Sequence, residues 1–281
     1  MTQFFTGDPT PLLKDLGVDI SQPGFYDDPR FVAQEQSNPA FLDCYASFVR
    51  RVDRTAVYDQ EARARIRAVC DFLYNQLATD GRLGACVDIS MGVSRFLELL
   101  GVWNYCAQGG MTIEFHDSVG LSTIYLAPVG GTQDKATGHA WVVALPFEIV
   151  DISIGLQPYK REVGNLLPHY ILADSVRKTS GTVNDWLDPD DYMHFVRRFG
   201  RKPTMTDLQK LVGSDVIDRS VHYGVHYVDH TSCKIKYLTC GVSAPNAPFE
   251  RMACLQLNGS NTTKLWAHFL EQYPEYRADQ S

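Results

Sequence analysis

Three residues in this chain are of the right types to perform acyl transfer together. Cys86 lies in "GACVDISMGVSRFLELLG" (84–101), after a Gly-Ala step and at the head of an apolar helical pattern. His139 and Asp151 lie in "GHAWVVALPFEIVDIS" (138–153). A helix N-terminus presents unpaired backbone N–H groups and about half a positive charge, which draws a thiol toward thiolate. The same N–H groups can hold the oxyanion that forms when a thiolate attacks a carbonyl. Gly84 would let backbone approach a substrate closely. Taken singly, each of the seven cysteines reads first as a small buried hydrophobe. The place at a helix start singles out Cys86.

The histidine and aspartate gain meaning from a hairpin. If "HAWVVAL" and "EIVDIS" pair across a turn centred at Leu145, with Pro146 in the turn, His139 and Asp151 fall directly opposite each other. An aspartate there would hold the imidazole's tautomer while the other ring nitrogen faces a thiol. A turn displaced by one residue would send the two side chains to opposite faces. Gln76 or Asn75, late in the preceding helix, could add a side-chain donor to an oxyanion hole that includes the Cys86 N–H. Asp88 most simply favours the helix N-terminus by its charge.

Around these residues the chain reads as helices first and strands later. Residues 1–40 form an irregular arm with short helical pieces. "PAFLDCYASFVRRV" (39–52) and "DQEARARIRAVCDFLYNQLA" (59–78) carry apolar residues at helical spacing, the second as a stripe of Ile66, Val69, Cys70, Leu73 and Leu77. In the helix from 86 to 100, Ile89, Val93, Phe96, Leu97 and Leu100 make the buried face, and Gly101 ends it. Beyond Gly101 the period changes to two. "MTIEFHDS", "LSTIYLAPV", "HAWVVAL" and "EIVDIS" read as strands, with "GGTQDKATG" (130–138) as a flexible connector. "DPDDYMHFVRRFG" and "TMTDLQKLVG" read as helices, the latter starting near Thr206 or Asp207. "SVHYGVHYVDH", "CKIKYLTCGVS" and "RMACLQLNG" read as strands, and "NTTKLWAHFLEQY" as a closing helix. The expected class is α+β, with the nucleophile helix packed on an antiparallel sheet.

Composition bounds the function. The chain has 281 residues, 44% apolar, enough for a full core, and a net charge of −7 that disfavours nucleic acid as a partner. No apolar run approaches the ~18 residues of a membrane span, and no export signal opens the chain. An odd number of cysteines with no CxxC reads as a reduced, cytoplasmic protein. His222, His226 and His230 are spaced by four. On a strand such residues stand ~13 Å apart, too far to share one zinc ion, so no metal is expected. "RRFGRK" (197–202) reads as a solvated basic face with room for a local anionic contact.

The ordered set "EARARIRAVCDFLYNQL", "GACVDISMGVSRFLELLGV", "GHAWVVAL" and "EIVDIS" resembles the transglutaminase-like branch of the papain-like cysteine enzymes, over about residues 59–156. The resemblance implies Cys86 as nucleophile, His139 as general base and then acid, and Asp151 as the orienting residue, with no cofactor. Arylamine acetyltransferases share the triad order, but their Arg-Gly-Gly before the cysteine is replaced by Arg82, Leu83, Gly84, Ala85. The tryptophan and Asp-Pro that usually follow the family's aspartate strand are also missing from "EIVDISIGLQP". The implied domains are an N-terminal helical arm (1–58), a catalytic core (59–156) and a C-terminal extension (157–281) that completes the domain or sets specificity. The expected activity is hydrolysis of a peptide or amide bond through a Cys86 thioester, as in a protease, amidase or deamidase. The alternatives are transfer to an amine, as in a crosslinking transglutaminase, and a non-catalytic binding module. The partner would be a peptide, a protein or a small amide or acyl compound.

Overall fold

In the computed structural model, residues 5–128, 138–245 and 247–280 are described. Most of the expected connector, residues 129–137, lies outside them. The fold is α+β. Its helices are α1 (Thr10–Asp15), α2 (Pro29–Ser37), α3 (Leu42–Val49), α4 (Ala56–Asp80), α5 (Cys86–Leu99), α6 (Arg161–Gly164), α7 (Val183–Trp186), α8 (Pro189–Phe199), α9 (Met205–Val212), α10 (Ser214–Tyr223) and α11 (Thr262–Gln272). Its strands are β1 (Asn104–Phe115), β2 (Ile124–Leu126), β3 (His139–Ala144), β4 (Phe147–Asp151), β5 (Ile171–Ala173), β6 (Arg177–Thr179), β7 (Val225–Asp229) and β8 (Cys233–Ser243). Among the described residues no helix is long and apolar enough to cross a membrane.

The chain divides into two compact units. One comprises Phe5–Cys106, Trp141–Asp174 and Ser243–Ser281. Its core is where the helical stripes meet: Ile66, Val69, Leu73 and Leu77 of α4 and Ile89, Val93, Phe96 and Leu97 of α5 cluster with Val142, Phe147 and Val150 of β3 and β4. Thr55 caps α4 by accepting from the Tyr58 N–H, and Gly81 ends it with φ +77°. The last turn of α5 closes as the pattern predicts, with Gly101 at φ +68° and the Val102 N–H donating to Leu97 O at 2.9 Å. Near that end Arg95, buried, donates to Asp27, Glu98 and the carbonyls of Pro245 and Ala247. Strands β3, β4 and β5 are joined antiparallel in sequence order.

The other unit comprises Ala107–Ala140 and Ser175–Val242, and so takes most of β1 and the first two residues of β3. Here β2 pairs antiparallel with β1, and β6, β7 and β8 follow one another antiparallel. Trp186, Leu187, Leu208, Ile217, Val225 and Leu238 form its core. Gly109 is required by close approach: a Cβ there would lie 1.8 Å from the Leu238 carbonyl oxygen.

Two expectations need correction. "SVHYGVHYVDH" is not one strand: α10 runs through Tyr223 and β7 begins at Val225, so His222 is helical while His226 is in a strand. Gly224, at φ +78°, is where helix turns into strand. "RMACLQLNG" is a short 3-10 turn and loop held by one bridge between Leu257 and Ser260 rather than a strand. Helix α9 starts at Met205, next to the expected Thr206, and is capped by Thr204 in a reciprocal box with Asp207.

Candidate active site

Cys86 is the first residue of α5. Ala85 precedes it as N-cap and offers no side-chain hydrogen bond, so the first-turn N–H groups have no side-chain cap. The approach is shaped by Gly84, whose φ of +71° only glycine adopts freely and whose N–H donates to Leu156 O at 3.0 Å. Asp88 sits in the first turn, 3.5 Å from Arg82, and Arg82 also donates to Cys254 O at 3.1 Å. Asp88 thus carries its charge at the helix's positive end.

The seven cysteines separate by environment. Cys44, Cys70, Cys106 and Cys233 are buried, and Cys86, Cys240 and Cys254 are half-buried. Burial pushes the thiols of Cys44, Cys106 and Cys240 up to about 12. It also raises Cys70, Cys233 and Cys254, with the carboxylates of Asp71 and Asp151 adding to the effect on Cys70. A thiol held in its neutral form is a poor nucleophile. Cys86 is the cysteine at a helix start.

Asp151 ends β4 and is 1% exposed. Its Oδ1 accepts from the Ser153 N–H at 3.0 Å and from Ser153 Oγ at 2.9 Å, and these bonds hold the buried carboxylate in one orientation. The Gln157 side chain donates to Ser153 O at 3.0 Å and ties down the same turn. Neither Ser153 nor Gln157 was expected at the site. The signal was in "DIS": an aspartate two residues before a serine at a strand end is the spacing of an Asx-type turn.

His139 opens β3 and is 3% exposed. Gly138, at φ +73°, brings the chain into the strand, with its N–H donating to Ala127 O at 2.9 Å. The Tyr237 ring lies 6.3 Å from the imidazole, centroid to centroid.

The hairpin register differs from the expected one. The turn is Leu145-Pro146, closed by Ala144 opposite Phe147, and an irregularity then sets Val142 opposite Val150. A regular continuation from the Ala144–Phe147 pair would have put an even-numbered residue of β3 across from Asp151. The irregularity moves the register on by one, so that continuing from Val142 sets Trp141 across from Asp151. His139, two residues before Trp141, points to the same side of β3 as Trp141. The register of the hairpin is therefore not the expected one that pairs His139 directly with Asp151.

Gln76 is half-buried late in α4, and its Oε1 accepts from Asn258 Nδ2 at 3.1 Å; Asn75 beside it is exposed. Of the three spaced histidines, His226 is buried with its Nε2 3.0 Å from Tyr223 O, and His230 Nδ1 is 3.1 Å from Ser232 Oγ. Among the described residues no group of three histidines, cysteines or carboxylates could hold a metal ion. The sequence matches no protein-family model, and neither a curated protein nor a solved structure matches the chain.

Proposed function

We propose that this protein is a cysteine-dependent acyl-transfer enzyme in which Cys86 attacks a carbonyl, His139 acts as general base and then acid, and Asp151 orients the imidazole. The observation that carries this reading is the setting of Cys86: first residue of α5, half-buried, behind a left-handed glycine and with no side-chain cap on the helix. Burial holds the other six thiols up. The thiolate adds to the carbonyl carbon, the oxyanion draws on the Cys86 N–H and on Gln76 or Asn75, and collapse expels the leaving amine with a proton from the imidazolium. Water, deprotonated by the neutral imidazole, then cleaves the thioester and regenerates the thiol. Hydrolysis of a peptide or amide is the leading outcome, because water needs no acceptor site; an amine reaching the same thioester would give transfer. A reducing, cytoplasmic setting belongs to this reading, since the nucleophile has to remain a thiol.

The test is mapping by mass spectrometry after brief treatment with a thiol-reactive probe at slightly acidic pH, on wild type and on His139→Ala. Cys86 is expected to label first, and His139→Ala to lose most of that rate. Equal labelling of Cys240 or Cys254, or a His139→Ala protein that labels as wild type, would defeat the proposal and leave a binding module.

A further inference from the structure

Between α8 and α9, with none of the residues of the proposed chemistry in its lining, lies a cavity of about 590 Å³, within the usual size range for small-ligand sites. Its apolar wall is made by Leu187, Leu208, Phe195 and Leu211. Leu187 and Leu208 are buried in the core, whereas Leu211 is 64% exposed at the mouth. Phe199, 53% exposed, lines the same cavity, so the apolar wall continues from the core onto the surface.

The charges around the cavity are unequal. Arg201 is consumed by Asp207 in a two-pronged pair at 2.7 Å and 2.7 Å, which holds the Asp207 carboxyl well below the usual range. Arg198 and Lys210 also line it, and among the described residues neither has an ion pair or hydrogen bond. Arg198 instead lies over the Phe199 ring, 5.3 Å from its centroid. Asp191, seven residues or about 10 Å of helix rise from Arg198, also lines the cavity and keeps one carboxylate oxygen buried without a hydrogen-bond partner among the described residues. The lining thus holds two unmatched cations against one unmatched carboxylate oxygen, and the balance is positive.

We propose that this cavity binds a small amphipathic organic anion: a carboxylate or sulfonate head gripped by Arg198 and Lys210, with an aliphatic or aromatic body against Phe195, Leu208 and Leu211. The apolar wall supplies burial and the two unmatched cations supply sign selectivity.

Fluorescence titration of the intact protein with anilinonaphthalene sulfonate tests this. One saturable site is expected, displaced by octanoate and not by octylamine, and weakened by added salt. Arg198→Gln/Lys210→Gln should weaken binding about tenfold, the equivalent of ~1.4 kcal/mol. Arg198→Lys/Lys210→Arg, which keeps both charges, should bind as wild type, so a folding defect in the first variant would not be mistaken for lost contacts. Leu211→Asp, at an exposed position, should abolish binding without lowering the melting temperature. Displacement by octylamine as effective as by octanoate, or unchanged affinity in the glutamine variant, would overturn the proposal.

Discussion

Replacing Gly84 by alanine tests the local geometry that sets up the nucleophile. At φ +71° a side chain is strained, and a left-handed residue other than glycine costs roughly 1–2 kcal/mol. Space adds nothing to this, because the new Cβ would meet only Pro158 Cδ at 3.7 Å, an ordinary contact. Against the strain stands a gain of about 0.4–1 kcal/mol from the stiffer unfolded chain. The net expectation is a loss of about 1 kcal/mol, or a fall in melting temperature of roughly 2–4 °C for a chain of this size. Gly84→Asn should cost less, since asparagine tolerates this region. Gly81→Ala is the control: it has φ +77° and nothing within 4 Å of the added Cβ, but it ends α4 instead of leading into Cys86. Both alanine variants should lose similar stability in urea unfolding. Only Gly84→Ala should slow the labelling of Cys86, by several-fold, because Gly84 stands two residues before Cys86 and a shift in its backbone carries into the Cys86 N–H and thiol. If both variants slow labelling equally, or if Gly84→Ala alters neither stability nor rate, the argument that this turn positions the nucleophile is wrong.

Arg95→Met removes the cation buried beside Glu98, whose own carboxyl burial already raises above the ordinary range, and should cost about 3–5 kcal/mol at neutral pH. A carboxyl raised in the folded state weakens the fold as pH rises through the interval between its unfolded and folded values; without Arg95 it rises further, so the deficit should shrink in acid. Urea unfolding at neutral and acidic pH reads this directly, and a deficit independent of pH would refute it. Gly109→Ala forces a Cβ to 1.8 Å from the Leu238 carbonyl and should cost ~3 kcal/mol or more, seen as lost β-sheet signal or insolubility; a normal melting curve would contradict the close approach. Ser153→Ala should cost ~1 kcal/mol for the lost hydroxyl bond, and it should lower Cys86-dependent turnover, once a substrate is in hand, more than that small loss of stability explains. Unchanged turnover would separate the serine from the site.

The helices were legible because their signals are local. The stripe of α4 and the face of α5 are buried as their spacing required, and Gly81, Gly101 and Gly200 end helices in left-handed conformation. "VHYG" misled because Val221, Tyr223 and Val225 alternate like a strand, while the preceding "SDVIDRS" continues as a helix through Val221 and Tyr223, with only Ile217, Ser220 and Tyr223 buried. "RMACLQLNG" misled because Met252, Leu255 and Leu257 are apolar for core contact, without a strand beside them to pair with. The hairpin shows the limit most clearly. Turn chemistry around Pro146 gives the connection to within one residue, yet one residue decides which face Asp151 takes. The irregularity between Val142 and Ala144 restores the face that a regular ladder closed by Ala144 and Phe147 would have lost. It has no signature of its own in "HAWVVAL", where every residue of β3 is buried and alternation says nothing. The residue types of a candidate site can therefore be read from this sequence, and so can the secondary elements that carry them. The register that aims Asp151 depends on packing against both faces of β3, and only the folded chain specifies it.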